Sequence, residues 1–537
     1  MAGAAALRLV GLKTGLPYVY NADENSHFVP RAVGMFGHSL DPGYFANPPA
    51  FTYLLHGLLA LRWGTDPARV GDVVARDPGA VYTLARAAAA LLGAAAAGLL
   101  AWAGARLVDR RTGLVAGALL AVSFLAVDYG HYALNDAPAT LPAALALAGA
   151  AGVLRSGRRR EYALAGLAVG VGCATKYTVA VLALPLLAAG ALAPGRRAAG
   201  LALAAALAAA GFLAANPYAL LDLHAFAAGL RTQAGTAGAA GGKLGLTGSS
   251  GLGYYLASTT WGLGWLPAMT ALAGAAALLV CDRRLAALLV PAPVVLVLYL
   301  GLQSRFFARW LLPVYPLLCL LAAWAAVRAA AWLAGRVRHA WRTCRWPAAA
   351  AGLLLCAQGL VFSIHGDVVK ARDDTRALAR AWLVAHVPAG SRVVIEPVVP
   401  DQWASDPGRP SAATRSGVRW VKWPASRSVG RPVRLEDYER TLRPALVAAY
   451  RRAGYCWVLI GSTQYGRAYA QPRAVPAAIR YYAALRAGAT LAYSVSPAAP
   501  GAREPAFSFD FSFNGYRLSV RRPGPRIAIY HLKDCRA

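Results

Sequence analysis

Acidic and basic side chains cluster where the first apolar stretch of the sequence ends. Asp23 and Glu24 follow that stretch directly, and His27 and Arg31 come next at helical spacing. A carboxylate in such a position can accept a proton from an attacking hydroxyl, while a nearby histidine or arginine orients it or pairs with an anionic substrate. The same residues would also suit a solvated loop whose acidic side chains cap a helix. The spacing leaves both interpretations open.

Two later apolar stretches are each interrupted by a polar group. Asp136 lies in the first, with His131 about one helical turn before it, and Lys176 is the only charge in residues 162–195. A charge within an apolar segment is costly, which favours a functional role such as anion binding for Lys176. A helix cap at Asp136 and a lysine that extends toward a membrane surface are the alternatives.

A third group combines basic and aromatic side chains. Arg305 and Arg309 flank Phe306 and Phe307 and precede Trp310. Two guanidinium groups so close together can bind a phosphate through paired hydrogen bonds. Basic and aromatic residues also anchor helices at a membrane surface, and this second interpretation stays open.

The elements that position these groups are indicated by composition. Of 537 residues, 58% are apolar and 15% are charged, which excludes an ordinary soluble domain. The net charge of +31 is spread between apolar runs rather than concentrated on one polar face, so we predict no nucleic-acid partner. A membrane span needs about 20 apolar residues. Windows without charge occur at 198–221, 244–281, 285–304, 310–327 and 347–364.

Basic clusters predict the sidedness of these spans, because Lys and Arg accumulate in short cytoplasmic loops. Five clusters separate the apolar stretches, at Arg106, Arg155, Arg196, Arg283 and residues 328–345. Placing all five inside requires residues 162–195 to form two helices that meet near Lys176. The result is a polytopic α-helical membrane protein of about eleven spans, with a transmembrane domain at residues 1–364.

The requirement that all five basic clusters lie inside also places residues 21–80 outside, as a loop with juxtamembrane helices. Within this loop, residues 49–63 are predicted to form a helix that lies on the membrane surface. The first crossing then falls at residues 2–20, where Arg8 and Lys13 make a poor span. Either this helix is short and its charges reach the surface, or it begins upstream of Met1, which we favour.

Residues 365–537 are predicted to form an extracytoplasmic α/β domain. Helical spacing is found at 373–386 and 477–487, and β-branched or aromatic runs at 393–395, 455–461 and 526–530 predict strands. Residues 401–435 are rich in Pro, Ser, Gly and Arg and are predicted to be a loop. Cys456 and Cys535 are the cysteines best placed for a disulfide, and the sequence leaves their pairing open.

The order of these motifs resembles that of the membrane glycosyltransferases with the C-type fold. The similar branch comprises protein O-mannosyltransferases and aminoarabinose transferases, which use polyprenyl-phosphate sugars. The resemblance covers about residues 15–400 and is carried by short motifs: Asp23-Glu24, Asn47-Pro48-Pro49, Tyr82 to Arg86, His131 to Pro138, Ala174 to Tyr177, Arg305 to Pro316 and Asp374 to Trp382. Asn47 stands where some relatives have a lysine that binds phosphate.

The resemblance implies an inverting transfer of a sugar from a polyprenyl-phosphate donor at the outer face of a bacterial-type plasma membrane. Asp23 would be the base, with Glu24 and Asp136 as further catalytic residues that position substrate. The implied substrate-binding residues are His27, Arg31, Arg86, His131, Lys176, Arg305 and Arg309. The implied partners are the donor, membrane lipid, and an envelope glycan, lipid or protein acceptor. No cofactor is certain, and a divalent metal is left open because acidic pairs in related folds sometimes bind one.

Two other functional classes remain as alternatives. A secondary transporter or lipid flippase usually places its site near the bilayer midplane between repeated halves. In this sequence the charges lie at the outer ends of the predicted spans, and no repeat is visible. A non-catalytic membrane scaffold would fit the architecture but would leave the placement of Asp23, Glu24 and Asp136 unexplained.

Overall fold

The computed structural model describes residues 1–195, 197–238, 244, 250–336, 346–406, 418–423, 427–428, 431–432, 438–502, 507 and 518–535. Arg196 and residues 337–345, which belong to two of the predicted basic clusters, lie outside this described part. Parts of the predicted loop at 401–435 do so as well.

The amino-terminal quarter contains short helices connected by turns. They are α1 (Ala2–Leu9), a π-helical turn (Glu24–Phe28), α2 (Val29–Gly34), α3 (Ala50–Trp63) and α4 (Pro67–Arg76). The predicted crossing at 2–20 is not a single helix here, because α1 has only 8 residues. At about 1.5 Å per residue it is too short for a hydrocarbon core of about 30 Å. The predicted helix at 49–63 is confirmed as a helix by α3.

Burial of Arg8 shows how α1 accommodates a charge. Its guanidinium is fully buried and donates hydrogen bonds to the carbonyl oxygens of Ala4, Leu120 and Ala121. These acceptors replace water, so the arginine joins α1 to the helix that ends near residue 122.

An apolar helical bundle follows. It comprises α5 (Pro78–Leu107), α6 (Arg110–Val122), α7 (Phe124–Asp128), α8 (Thr140–Ser156), α9 (Arg159–Thr175), α10 (Ala183–Leu192), α11 (Arg197–Ala215), α12 (Tyr218–Leu221), α13 (Leu223–Gly238), α14 (Gly251–Thr259), α15 (Trp265–Cys281), α16 (Arg283–Leu289), α17 (Pro291–Gly301), α18 (Tyr315–Arg336) and α19 (Trp346–Lys370). Within the described residues, six helical segments are long and apolar enough to cross a membrane, or seven if the bent pair α6–α7 is one span. The chain is therefore an integral multi-pass membrane protein, and the count of eleven stays a prediction.

The predicted break at Lys176 is present in the structure. Helix α9 ends at Thr175, Lys176 is extended, and a 3₁₀ turn (Tyr177–Leu182) leads into α10. Residues 129–139 similarly interrupt the long apolar stretch between α7 and α8. Both interruptions carry a polar side chain that the sequence singled out.

Small residues let these helices approach closely. A Cβ atom added at Gly166 would lie 2.3 Å from the carbonyl oxygen of Ala204, and one at Gly170 would lie 2.1 Å from that of Ala208. Both distances are prohibitive, so glycine is required on α9 where it packs against α11.

The carboxy-terminal part is an α/β unit. It contains α20 (Thr375–His386), β1 (Arg392–Ile395), β2 (Val421–Lys422), β3 (Arg427–Ser428), β4 (Arg431–Pro432), α21 (Tyr438–Thr441), α22 (Ala445–Arg452), β5 (Trp457–Gly461), α23 (Ser462–Ala470), α24 (Pro476–Ala487), β6 (Ala489–Val495) and β7 (Ile527–Leu532). The main sheet has the order β2-β1-β5-β7-β6. Strand β1 is parallel to β2 and β5, whereas β7 is antiparallel to β5 and β6.

The predicted helices and the three predicted strands of this unit are confirmed by α20, α24, β1, β5 and β7. Strand β2 lies inside the segment predicted as a loop; its two residues pair with β1, a contact made only in the folded sheet. A disulfide joins Cys456 and Cys535, which lie beside β5 and β7.

The α/β unit packs on the segment that precedes Asp23. The guanidinium of Arg376 lies 3.7 Å from the centre of the Tyr20 ring, and that of Arg380 lies 5.0 Å from the centre of the Tyr18 ring. Tyr18 also belongs to the apolar core of the unit. This contact places the α/β unit on the same face of the bundle as Asp23.

Candidate active site

Two adjacent carboxylates leave the first turn of the π-helix in different directions. The side-chain oxygen of Asn21 accepts hydrogen bonds from the backbone amides of Asp23 and Glu24, at 3.1 and 3.2 Å, and so fixes the start of this turn. The Asp23 side chain is 40% exposed, whereas that of Glu24 is completely buried. Asp23 is therefore accessible to a substrate and Glu24 is not.

Glu24 is fully engaged inside the bundle. Arg86 donates to its two carboxylate oxygens from Nε and Nη2, at 2.7 and 2.8 Å. The backbone amide of Ala133 donates to the same carboxylate at 2.9 Å. Arg86 also donates from Nη1 to the carbonyl oxygens of Leu12 and Thr14. The pair thus joins α5 to three other chain segments, and neither member is free to contact a substrate.

Arg309 connects the exposed carboxylate to the interior. Its Nη2 donates to Oδ2 of Asp23 at 2.8 Å, and its Nη1 donates to the Tyr129 hydroxyl at 3.3 Å. Its Nε lies 3.8 Å from Oδ2 of Asp136. One guanidinium is therefore shared between two carboxylates, and it lies 4.1 Å from the centre of the Phe307 ring.

The two interruptions of the helical bundle, at residues 129–139 and at Lys176, lie beside the Arg309 guanidinium. Asp136 and Lys176 form a buried ion pair through Oδ1 and Nζ. The side chain of the neighbouring Asn135 donates to the carbonyl oxygen of Thr175 at 2.7 Å, which holds the two breaks together. The breaks thus bring a cation and a carboxylate to one place within apolar surroundings.

His27 and Arg31 flank a third aromatic ring, that of Tyr44. The imidazole of His27 is stacked on Tyr44 with ring centres 4.8 Å apart, and the guanidinium carbon of Arg31 lies 5.3 Å from the same ring centre. Burial lowers the pKa of His27, and Asp23, 3.6 Å away, partly offsets this effect. A cavity of about 520 Å³ opens beside Ser26 and Arg31.

Arg305 lies next to Arg309 on the same aromatic residue. Its guanidinium carbon is 5.0 Å from the centre of the Phe307 ring. The structure therefore brings together Asp23, Asp136, His27, Arg31, Lys176, Arg305 and Arg309 on one side of the bundle. Tyr44 and Tyr129 also join this group and were not predicted, whereas Phe307 was named as part of the basic and aromatic group that contains Arg305 and Arg309.

His131 and Arg86 occupy positions different from those expected for substrate-binding residues. His131 is completely buried; its Nδ1 lies 2.9 Å from the Val127 carbonyl oxygen, and its Nε2 lies 2.8 Å from that of Val10 and 3.2 Å from Asp367. Asp128 and Lys370 form a second buried pair nearby. Both side chains are enclosed and have protein partners in this structure, and their assignment as substrate-binding residues stays a prediction.

A divalent metal does not fit the acidic residues of this site. Each of the three carboxylates already faces a basic side chain: Asp23 faces Arg309, Glu24 faces Arg86 and Asp136 faces Lys176. Within the described residues, no group of three or more His, Cys, Asp and Glu side chains could hold a metal ion. The surplus of cations favours an anionic ligand instead.

Comparison with known proteins supports the resemblance predicted from the motifs. Residues 79–220, less than half of the chain, match the family model described as dolichyl-phosphate-mannose-protein mannosyltransferase. The resemblance is thus confirmed over a segment that includes Arg86, Asp136 and Lys176, whereas Asp23 and Arg309 lie outside it. No curated protein sequence matches the chain.

Several solved structures are similar to the chain at low sequence identity. ArnT from Cupriavidus metallidurans bound to undecaprenyl phosphate is 15% identical, with a TM-score of 0.48, and the match covers 99% of this chain and 97% of ArnT. The Archaeoglobus fulgidus oligosaccharyltransferase in complex with Zn and sulfate is 13% identical, with a TM-score of 0.46 and coverage of 92% and 71%. The oligosaccharyltransferase AglB from Archaeoglobus fulgidus, in complex with an inhibitory peptide and a dolichol-phosphate, is also 13% identical, with a TM-score of 0.46 and coverage of 92% and 73%.

Proposed function

We propose that this protein is an inverting glycosyltransferase. It transfers a sugar from a polyprenyl-phosphate donor to a hydroxyl of an envelope glycan, lipid or protein, at the outer face of a bacterial-type plasma membrane. The observation that carries this proposal is the contact between the half-exposed Asp23 and Arg309. Arg309 also approaches Asp136, which forms a buried ion pair with Lys176. The site thus offers an accessible base beside cations suited to a phosphate.

The reaction assigns one role to each of these groups. The acceptor oxygen attacks the anomeric carbon of the sugar, and its proton passes to the Asp23 carboxylate. The bond between the anomeric carbon and the phosphate oxygen breaks, and its electron pair leaves with the polyprenyl phosphate. Arg309, Arg305 and Lys176 stabilise the negative charge that develops on this phosphate.

Asp23 and the donor phosphate would share the Arg309 guanidinium, and this competition makes the base available. In the structure, Asp23 accepts a hydrogen bond from Arg309, which occupies one of its two carboxylate oxygens. A donor phosphate competes for the same guanidinium and weakens this contact. The donor therefore frees the carboxylate oxygen that receives the proton from the acceptor hydroxyl.

The remaining acidic residues position these groups. Glu24 fixes the turn that carries Asp23 through its contact with Arg86, and Asp136 holds Lys176 and Arg309 in reach of the phosphate. The apolar bundle below them suits the polyprenyl tail. The α/β unit, which packs on Tyr18 and Tyr20, lies where an acceptor would arrive from outside.

Donor turnover by the purified chain in lipid nanodiscs tests this function. The chain is offered a panel of polyprenyl-phosphate sugars with crude envelope acceptors, and released polyprenyl phosphate is measured. Asp23→Asn should lower turnover by about 10²–10⁴-fold, the usual contribution of a general base, with donor binding retained. The matched control is the exposed Asp66→Asn, because an asparagine there can still accept the hydrogen bond from the Ala68 amide.

The alternative classes predict other outcomes. Full turnover by Asp23→Asn would exclude Asp23 as the base. If the wild-type chain consumes none of the donors, a transporter, a flippase or a scaffold becomes the better interpretation.

A further inference from the structure

A second pocket lies where α3 and α4 end and α5 begins. It has a volume of about 850 Å³ and is separate from the residues around Asp23. Its apolar wall includes Leu16, Trp63, Leu84 and Ala87, and its basic residues are Lys13, Arg62 and Arg76.

The charge of this pocket is strongly unbalanced. Three basic residues line it against one acidic residue, Asp77, whose Oδ1 accepts the backbone amide of Ala80 at 3.0 Å and thereby caps α5. Arg76 pairs with Asp72 at 2.7 Å. Within the described part of the chain, Lys13 and Arg62 form no ion pair, and both are exposed. An anion would find two uncompensated cations here.

The position of the pocket along α5 indicates what kind of anion it binds. Helix α5 is one of the segments long enough to cross a membrane, and the pocket lies at its Pro78 end, opposite Arg106. Its wall descends along α5 from Gly79 to Ala87, about 12 Å into the apolar part of the helix. Cations at the top and an apolar wall below match a charged head group with an acyl chain.

One wall of the pocket is anchored by buried hydrogen bonds. Lys13 lies between Leu12 and Thr14, whose carbonyl oxygens both accept hydrogen bonds from the buried Arg86 at 2.8 Å. The backbone that presents Lys13 is therefore anchored to α5, and this segment needs little ordering when a ligand binds.

We propose that this pocket binds an anionic phospholipid of the surrounding bilayer. The phosphate lies between Lys13 and Arg62, and an acyl chain runs along Leu84 and Ala87. A soluble anion would use only the cations and leave the apolar wall uncovered. This inference does not depend on the proposed transferase activity.

Lipid binding to the full chain tests the proposal. The protein in nanodiscs of phosphatidylcholine is titrated with phosphatidylglycerol, and retained lipid is measured by native mass spectrometry. Lys13→Gln combined with Arg62→Gln should weaken phosphatidylglycerol binding roughly 30-fold, which corresponds to about 1 kcal/mol for each basic residue at an anionic surface. Lys13→Arg combined with Arg62→Lys keeps the charges and should retain binding.

The matched control removes two exposed arginines outside the pocket, Arg69 and Arg231. Arg69→Gln combined with Arg231→Gln should leave phosphatidylglycerol binding unchanged. Equal loss in this control, or no preference of the wild type for phosphatidylglycerol over phosphatidylcholine, would overturn the proposal. Displacement of the bound lipid by millimolar glycerol phosphate would also overturn it, because a head group alone would then suffice.

Discussion

Arg86 and Glu24 form two hydrogen bonds, 2.7 and 2.8 Å long, between side chains with almost no exposed surface. The next carboxylate along the chain, Asp23, points away from this pair and reaches Arg309. Two acidic neighbours thus have opposite environments. One stabilises the fold, and the other is available for chemistry.

Neutral substitutions at these neighbours should separate stability from activity. Glu24→Gln leaves the Arg86 charge buried without its partner, and loss of one member of such a pair costs about 3–5 kcal/mol of unfolding free energy. Asp23→Asn should change stability little, since Asp23 is half exposed. Thermal unfolding in detergent measures both variants. An equal loss of melting temperature in the two would contradict the division of roles.

Arg309 should be sensitive even to a conservative change. Arg309→Lys keeps the charge but cannot reach Asp23, Asp136 and the Tyr129 hydroxyl from one planar group. We expect kcat/KM for the donor to fall roughly 10²–10³-fold, as for the loss of a charge-stabilising donor. Tyr129→Phe removes one hydrogen bond and should cost about tenfold or less. Arg69→Lys is the control, and unchanged kinetics of Arg309→Lys would remove Arg309 from the mechanism.

Glu396 should make the α/β unit sensitive to pH. This fully buried carboxyl follows β1, accepts hydrogen bonds from the Tyr482 hydroxyl and the Gly461 amide, and has its pKa raised to about 8 by burial. The folded unit therefore keeps a proton that the unfolded chain loses near pH 4.5. Stability falls as pH rises between these two values, by at most about 1.4 kcal/mol per pH unit, and levels off above pH 8.

Hydrogen exchange of β1 and β5 amides between pH 5 and 9, corrected for intrinsic rates, measures this dependence. Glu396→Gln has no ionisable carboxyl and should remove the slope. A wild-type profile as flat as that of Glu396→Gln would show that burial does not raise the pKa of Glu396.

Cysteine labelling should establish the sidedness of the two parts. Cys281 is an exposed thiol at the end of α15, directly before Asp282 and the basic pair Arg283-Arg284. Because this basic cluster is expected inside, an impermeant maleimide should label Cys281 only after cells are permeabilised. The other free cysteines are first replaced by alanine, and the Cys456–Cys535 disulfide is kept.

A matched probe on the α/β unit completes this experiment. Arg473 is exposed between α23 and α24, and Arg473→Cys should be labelled on intact cells. The reverse pattern, with Cys281 labelled outside and residue 473 protected, would contradict the outer location of the unit. A disulfide is consistent with that location, since disulfides persist in oxidising compartments.

Short-range features of the sequence determined much of the architecture. The basic clusters that flank residues 162–195 predicted two helices that meet near Lys176, and the structure ends α9 at the preceding residue. The β-branched run at 393–395 and the apolar run at 455–461 predicted two strands. In the structure these strands pair with each other, with Val394 opposite Val458. Such features depend on the nearest residues and on burial of one apolar surface, so they can be read from a local pattern.

Only the tertiary structure decided which charged residues form the site. Asp23 and Glu24 are adjacent residues of the same type, yet partners 286 and 62 residues away give them different environments. Arg86 and His131 resemble ligand-binding residues in sequence, but packing encloses both. Tyr129 and Tyr44 join the site for the same reason. Contacts between distant segments follow from how the helices pack, and no local spacing determines that arrangement.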